Sequence, residues 1–308
     1  MAEVIRTPIA DEASWLAARR PNINASEVAA LFGHHAQETL LSLYARKAGL
    51  ADLAPPSGAI LERGHIMEPA VAEFVRRRRP DWRVVKNTHY LHAPDARVGA
   101  TPDYWVHCPE RGPGVLQCKV VALPEYREKW ADGAPMGYIL QTAQEVMLSQ
   151  VSWGVIGVLA VSTYGLDGAV LEFERNTGAE ARILQAVRSF WQDVAAGRQP
   201  RPDFTRDADI IKALSPRDNG ATIDLTGDNR VPELLERYDV LSTMGRHAEK
   251  ELKAVKAEIA AKMGDAAAAT LPGWKIRYPT RIRGAYAVKE TTYRVLDVQR
   301  VEAEEIAA

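Results

Sequence analysis

The sequence predicts a mixed α/β domain, a central sheet of parallel and antiparallel strands flanked by helices, followed by a C-terminal helix and β-hairpin extension. Three observations carry this. Short apolar stretches at 83–93, 98–106, 114–121 and 152–163 have the length and composition of strands. They fall between helical stretches at 59–78, 136–150 and 179–196, and the resulting α-β-β-β-α-β order suits a mixed sheet covered on both faces. Finally, Leu234, Tyr238, Leu241, Gly245, Ala248, Leu252, Val255 and Ile259 keep a 4-3 spacing with charges outside, the pattern of a long helix over Pro232–Met263.

Taken in order, Glu12–Arg19 reads as a short helix, and Ala25–Leu31 as a second one capped by Asn24 or Ser26. Thr39–Ala48 is a third, stopped by Gly49. Ala51–Gly58 is a Pro-rich loop. The helix Ala59–Arg78 should turn Ile60, Ile66, Ala70, Phe74 and Val75 to the core. Ser152–Thr163 has the continuous apolar character of a buried strand, with Ala169–Arg175 as its partner, and Ala179–Ala196 is a helix ended by Gly197. Pro, Asp, Asn and Gly dominate after Arg198, so the expected organisation is a core over 1–204, a linker or irregular loop over 205–230, and an accessory unit over 231–308. In that last unit Asp265–Thr270 should break the helix, and Trp274–Tyr278 and Tyr293–Val298 should be strands. The long helix either packs on its own domain or makes a seam to another subunit.

The chemistry-bearing feature is Asp103, followed fourteen residues later by Gln117-Cys118-Lys119. In a strand, alternate side chains share a face, so Gln117 and Lys119 point one way and Cys118 the other. If the two strands pair through a turn at Pro109–Gly114, Asp103 comes beside the Gln/Lys pair. A carboxylate and an amide oxygen suit a hard divalent cation, and an ammonium can orient attacking water, a set fitted to metal-assisted phosphodiester hydrolysis. The competing reading is a surface hairpin with ordinary polar residues.

Composition narrows the remaining classes. The chain of 308 residues has 46% hydrophobic residues and a net charge of -1, so any nucleic-acid contact must come from local basic surface. Cys108 and Cys118 form neither a disulfide framework nor a four-cysteine metal site. Met1–Pro8 has no continuous apolar core, and no apolar run approaches the ~20 residues of a membrane span, so a cytoplasmic protein without membrane partners is expected. His34, His35, His65, His89 and His92 lack convergent spacing and read as surface or core histidines. No serine-histidine-aspartate arrangement, phosphate-binding glycine loop or dinucleotide fingerprint occurs.

Several motifs in order resemble the lambda-exonuclease/YqaJ viral recombinase family of PD-(D/E)xK nucleases. They are the run from Trp15 through Arg19 to Ala25-Ser26-Glu27-Val28, the helix segment Gly64-His65-Ile66-Met67-Glu68, the strand segment Thr101-Pro102-Asp103, Gln117-Cys118-Lys119, and Tyr138-Ile139-Leu140-Gln141. The resemblance spans roughly residues 15–205 and implies a metal-dependent DNA exonuclease of phage or prophage recombination type, resecting duplex ends 5′ to 3′. It implies Mg²⁺ (or Mn²⁺) held by Asp103, Glu68, Gln117 and the Cys118 backbone carbonyl, with Lys119 positioning water and Gln141 beside it. It assigns Arg19, Ser26 and Thr101 to a pocket for a 5′-terminal phosphate. It also implies duplex DNA ends and a single-strand annealing protein (RecT/Red-beta type) as partners, and a ring-shaped homotrimer.

The departure is Gln117, where the family usually has Glu. The amide oxygen can still ligate, but one negative charge is missing, which weakens metal binding; Glu145, one turn beyond Gln141, is a candidate to restore it. The alternatives are an Mrr-like endonuclease, a type that carries the same Gln-x-Lys, and a DNA-end-binding protein disabled at Gln117. In the C-terminal unit Lys275, Arg277, Arg281, Arg283, Lys289 and Arg294 face a single acid, Glu290, with Trp274, Tyr278, Tyr286 and Tyr293 interleaved. This suits backbone contacts by Arg277, Arg281 and Arg283, or a twisted edge hairpin kept soluble by charge.

Overall fold

The structure, a computed structural model, describes residues 3–51, 59–163, 165–285, 290 and 293–298, with only the backbone at 59–61. The chain divides into two units, Met1–Leu214 and Ser215–Ala308.

The first unit starts with β1 (Ile5–Pro8), α1 (Glu12–Arg19), β2 (Ile23–Asn24), a 3₁₀ turn (Val28–Phe32), α2 (Leu40–Lys47) and α3 (Ala59–Arg78). Next come β3 (Arg83–Lys86), β4 (His89–Ala93), β5 (Val98–Ala100), β6 (Tyr104–Cys108), β7 (Gly112–Ala122), α4 (Leu123–Lys129) and α5 (Met136–Ser149). It closes with β8 (Trp153–Ser162), β9 (Gly165–Glu174), α6 (Thr177–Ala195) and α7 (Ala208–Leu214). Capping boxes start two of these helices, Asp11 with Ser14 on α1 and Thr39 with Ser42 on α2. Left-handed Gly49 follows α2 and left-handed Gly197 follows α6, where an L side chain would be strained.

The expected mixed sheet is present, in the order β3-β6-β7-β8-β9. Its only parallel pair, among the described residues, is β7 with β8. Trp153–Ala160 of β8 is buried throughout, as a central strand covered on both faces must be. On one face Val71, Ala72 and Val75 of α3 pack against Leu116, Cys118, Val155 and Leu159. On the other, Val146 of α5 meets Val115, and Tyr138 and Ile139 join a cluster with Val121, Ile156 and Val158. Helix α3 closes on the sheet because β8 has glycine at 157, where an added Cβ would lie 2.9 Å from Val75.

A second sheet, β1-β4-β5-β2, stands beside the first. The sequence reads 83–93 and 98–106 as one strand each, but each breaks in two and serves both sheets. Asn87 forces both breaks: its amide donates to the carbonyls of His89 and Pro102, and Trp105 Nε1 donates to its side-chain oxygen. The backbone N–H of Asn87 donates to Asp103, which therefore lies in the bend before β6 and not inside a strand. Glycine at 99 is obligatory here. The Tyr90 hydroxyl occupies the place of its missing Cβ (1.8 Å away), accepts from Asn22 and donates to Asn24.

Other expectations change too. Residues 25–31 form no α-helix: Glu27 and Asn24 are buried and bonded to each other, leaving only the 3₁₀ turn. Ile66 of α3 is exposed and Ala70 is too, because the helix turns Val71, Ala72 and Val75 inward; Ile60 lies outside the described side chains. The 205–230 stretch contains α7, anchored by buried Asp207, which accepts from Thr39. Of the Pro-rich loop, 52–58 lie outside the described residues.

The second unit holds α8 (Arg230–Met263) and a two-stranded hairpin, β10 (Ala268–Leu271) with β11 (Trp274–Arg277). The helix ends at Met263, before the expected break at Asp265–Thr270; the partner of Trp274–Arg277 is Ala268–Leu271, reached through left-handed Gly273, and Tyr293–Val298 is not a strand. Met263 is the one buried residue among those described on α8. No described helix is long and apolar enough to cross a membrane.

Gly99→Ala should cost about 3 kcal/mol in urea unfolding, since Tyr90 must move and both asparagines lose their partner. Tyr90→Phe, which removes only the hydroxyl, should cost about 1 kcal/mol in the same assay.

Candidate active site and flanking anion pocket

Strand β7 carries Gln117 and Lys119 of the candidate site. Its antiparallel register with β6 pairs Tyr104 with Leu116, so Asp103 comes level with Gln117. The backbone N–H of Cys118 donates to Asp103 Oδ2 at 2.7 Å, fixing that carboxylate against β7. The Cys118 thiol points to the α3 side, in the core, where burial pushes it well above the usual thiol range. Gln117 and Lys119 face the other way, toward α5. Lys119 Nζ donates to Gln141 Oε1 at 3.0 Å and sits 4.7 Å from the centre of the Tyr138 ring. Gln141 Nε2 in turn donates to Glu145 Oε1 at 3.0 Å, so the orientation of the Gln141 amide is set from both ends.

Glu68 projects from α3 and takes an ion pair from Lys86 of β3 through Oε2. Burial, and then the charge of Glu68, push Asp103 up to about 6, against the opposing pull of Lys119, the Cys118 N–H and Lys86. Glu145 is 1% exposed; burial and then the charge of Asp103 raise it well above the ordinary carboxylate range. Among the described residues no three His, Cys, Asp or Glu side chains form a metal cage. The buried Gln117 Oε1, however, has no hydrogen-bond partner, which is the oxygen a cation would satisfy. The structure therefore brings together Asp103, Glu68, Gln117, Cys118, Lys119 and Gln141, the residues that the sequence singles out.

The second group lies where β2 and the 3₁₀ turn meet α1 and α2. Arg19 Nη2 donates to Ser26 Oγ at 2.9 Å, and its guanidinium lies 4.3 Å from the Trp15 ring. Trp15 Nε1 donates to Thr101 Oγ1 at 3.1 Å. The three expected phosphate-pocket residues are thus linked through Trp15. Beneath them is a feature the sequence reading missed: buried Glu27 pairs with Arg46 at 2.9 Å and Lys47 at 2.9 Å. Burial alone would push the Glu27 carboxyl up; Lys47, Arg46 and Arg19 outweigh it and hold it down at about 2. Only the Ala-Ser-Glu-Val motif hinted at Glu27, and nothing in the sequence linked it to Arg46 or Lys47. Arg277, Arg281 and Arg283 lie in the second unit, exposed, and Tyr286 and Lys289 fall outside the described residues.

Residues 14–152 match the YqaJ-like viral recombinase domain. This chain carries a YqaJ-like domain. No curated protein matches it. Among solved structures, it is similar to an alkaline exonuclease (LHK-Exo) from Laribacter hongkongensis, at 18% identity over 65% of this chain and 100% of that one, with a TM-score of 0.47. It is also similar to a phage-related exonuclease from Haemophilus somnus 129PT, at 14% identity over 57% of this chain and 96% of the other, with a TM-score of 0.44. In the YqaJ-like domain of this chain the expected acid at position 117 is an amide, and Glu145 stands buried on the facing helix.

Two stability predictions follow from the opposite electrostatics of the two groups. Folding raises Asp103 from 3.8 to about 6, so its protonated form is favoured and the fold loses stability as pH climbs through that window. Asp103→Asn should therefore stabilise the metal-free protein at pH 8, by on the order of 2 kcal/mol, and scarcely at pH 4. Folding lowers Glu27 from 4.5 to about 2, so its contribution is present above 4.5 and lost as pH falls toward 2. Glu27→Gln should cost about 3–5 kcal/mol at pH 7, since it strands buried cations, and the gap from wild type should close below pH 4.5 in thermal melts.

Proposed function

We propose that this protein is a metal-dependent DNA exonuclease that resects linear duplexes from a 5′-phosphorylated end. The supporting observation is the meeting at one sheet edge of Asp103, Gln117, Lys119 and Gln141, with Glu68 opposite, inside a YqaJ-like domain. Asp103, Gln117, Glu68 and the Cys118 carbonyl would hold Mg²⁺ or Mn²⁺, and the orphaned Gln117 oxygen fits that role. When bound, such an ion supplies Lewis-acid stabilisation of phosphoryl oxygens and lowers the pKa of water. Lys119, steadied by Gln141 and the Tyr138 ring, orients the attacking water and shields developing negative charge. Asp103, anchored by the Cys118 N–H, keeps its second oxygen for the cation.

The pocket around Arg19 supports recognition of the terminal phosphate. Arg19 offers a guanidinium fork, while the Ser26 and Thr101 hydroxyls add donors. Cations Arg19, Arg46 and Lys47 outnumber the acids Glu27 and Glu38, leaving the pocket net positive. Resection of this kind exposes single strands, so the reading includes a single-strand annealing protein as partner and a ring of subunits enclosing the duplex. It also places the protein in the cytoplasm, where its DNA substrate lies.

The test uses a 5′-phosphorylated linear duplex labelled at each end in turn, with Mg²⁺ or Mn²⁺, beside a closed circle. Stepwise loss from the 5′ end, sparing the circle, is expected. Lys119→Ala should lower the rate at least a hundredfold, and Arg19→Ala should erase most of the preference for phosphorylated over hydroxyl ends. Cutting of the circle would instead make it an Mrr-like endonuclease. End binding without cleavage would make it a non-catalytic end binder.

A further inference from the structure

Two buried oxygens on facing elements lack any donor: Gln117 Oε1 on β7 and Glu145 Oε2 on α5. Their side chains are 5% and 1% exposed, respectively. Both side chains belong to one connected group, since Gln117 shares its strand face with Lys119, and Lys119 reaches Glu145 through Gln141 in two bonds of 3.0 Å. A buried carboxylate with one oxygen bonded and the other bare is costly unless a cation or a proton meets it. Gln117 removes a negative charge from the strand where a metal-holding acid is expected, and Glu145 places one on the helix that covers it.

We propose that Glu145 is a working member of the metal site, supplying from α5 the carboxylate charge that β7 lacks at Gln117. This rests on the metal-dependent reading above. Glu145 would hold the cation through its bare Oε2 while Oε1 stays with Gln141. Glu145 thereby ties cation binding to the orientation of Lys119, because the same Gln141 amide bonds both side chains. The competing role is structural, a protonated Glu145 donating to Gln117 and taking no part in cation binding.

The test is Mn²⁺ titration by calorimetry, with Ca²⁺ in parallel, on the full-length wild type, Glu145→Gln, Gln117→Glu and the double variant Gln117→Glu/Glu145→Gln. The isosteric amide at 145 keeps an acceptor for Gln141, and thermal melts in EDTA report folding separately. Glu145→Gln should weaken Mn²⁺ binding tenfold or more with an unchanged melt. The double variant, with the charge returned to the strand, should recover to within about threefold of wild type. Wild-type Mn²⁺ affinity in Glu145→Gln would overturn the proposal and leave the structural role. Failure of the double variant to bind better than Glu145→Gln would overturn the charge exchange. No Mn²⁺ binding by the folded wild type would sink the metal-dependent reading itself, a result distinguishable from either of those. If Glu145→Gln does not fold, Gln117→Glu alone decides: with Glu145 already charging the site it should gain less than threefold in Mn²⁺ affinity, and a tenfold gain would show that the charge was missing.

Discussion

Helix α5 is the constraint on which the rest depends, because its polar face is buried against both sheets. Three residues of one turn and a half, Gln141, Gln144 and Glu145, point inward, where unbonded polar groups are costly. Gln144 donates to the carbonyls of Ile23 and Gly99, closing the parallel pair of β2 and β5. Gln141 accepts from Lys119 of β7 and donates to Glu145. A shift of α5 by one residue would break all of these bonds at once. The helix thus sets the distance between the Arg19 group beside β2 and the candidate site on β7.

The division of labour between the sheets follows from Asn87. By bonding Pro102, His89 and Trp105, it makes two long apolar stretches bend at the same level. The bend ends the ladder at Asp103, whose carbonyl still accepts from the Asn87 N–H while its carboxylate turns back to the Cys118 N–H. A continuous strand through Asp103 would have committed its backbone to a ladder and placed its side chain by pleat alone. The position of the Asp103 carboxylate at the candidate site is therefore a product of a broken strand.

Much of this was legible in the sequence because periodicity reports which side of an element is buried. Alternation along 114–121 separated Gln117 and Lys119 from Cys118, Gly49 marked the end of α2, and the spacing of Tyr138 and Gln141 placed them one helix turn apart. Periodicity does not report what a buried face meets. Ile66 therefore read as core although α3 turns it to solvent, and nothing marked Ala268–Leu271 as the strand that pairs with Trp274–Arg277. The same limit hid Lys86 as the partner of Glu68, and Glu27 as the hub for Arg46 and Lys47: each pairing joins residues many positions apart, through side chains that look like ordinary surface charges in sequence.

The two polar groups stand at opposite ends of an electrostatic scale. Glu27 is paired with Arg46 and Lys47, so its carboxylate is stabilised well below the ordinary range and these side chains are held in place by one another. At β7 the acids Asp103 and Glu145 are both raised by burial and by neighbouring negative charge, and Lys119 is shared through an amide without direct pairing. The fold tolerates that imbalance because the sheet and helices α3 and α5 hold these side chains in place, and the cost falls on protonation and not on backbone geometry. A cation would relieve it, for each acid it met would no longer repel the next. On the proposed reading, then, the pocket holds a DNA end by preformed complementarity, while the reacting centre works only once a cation is bound. This order of events lets end recognition precede hydrolysis.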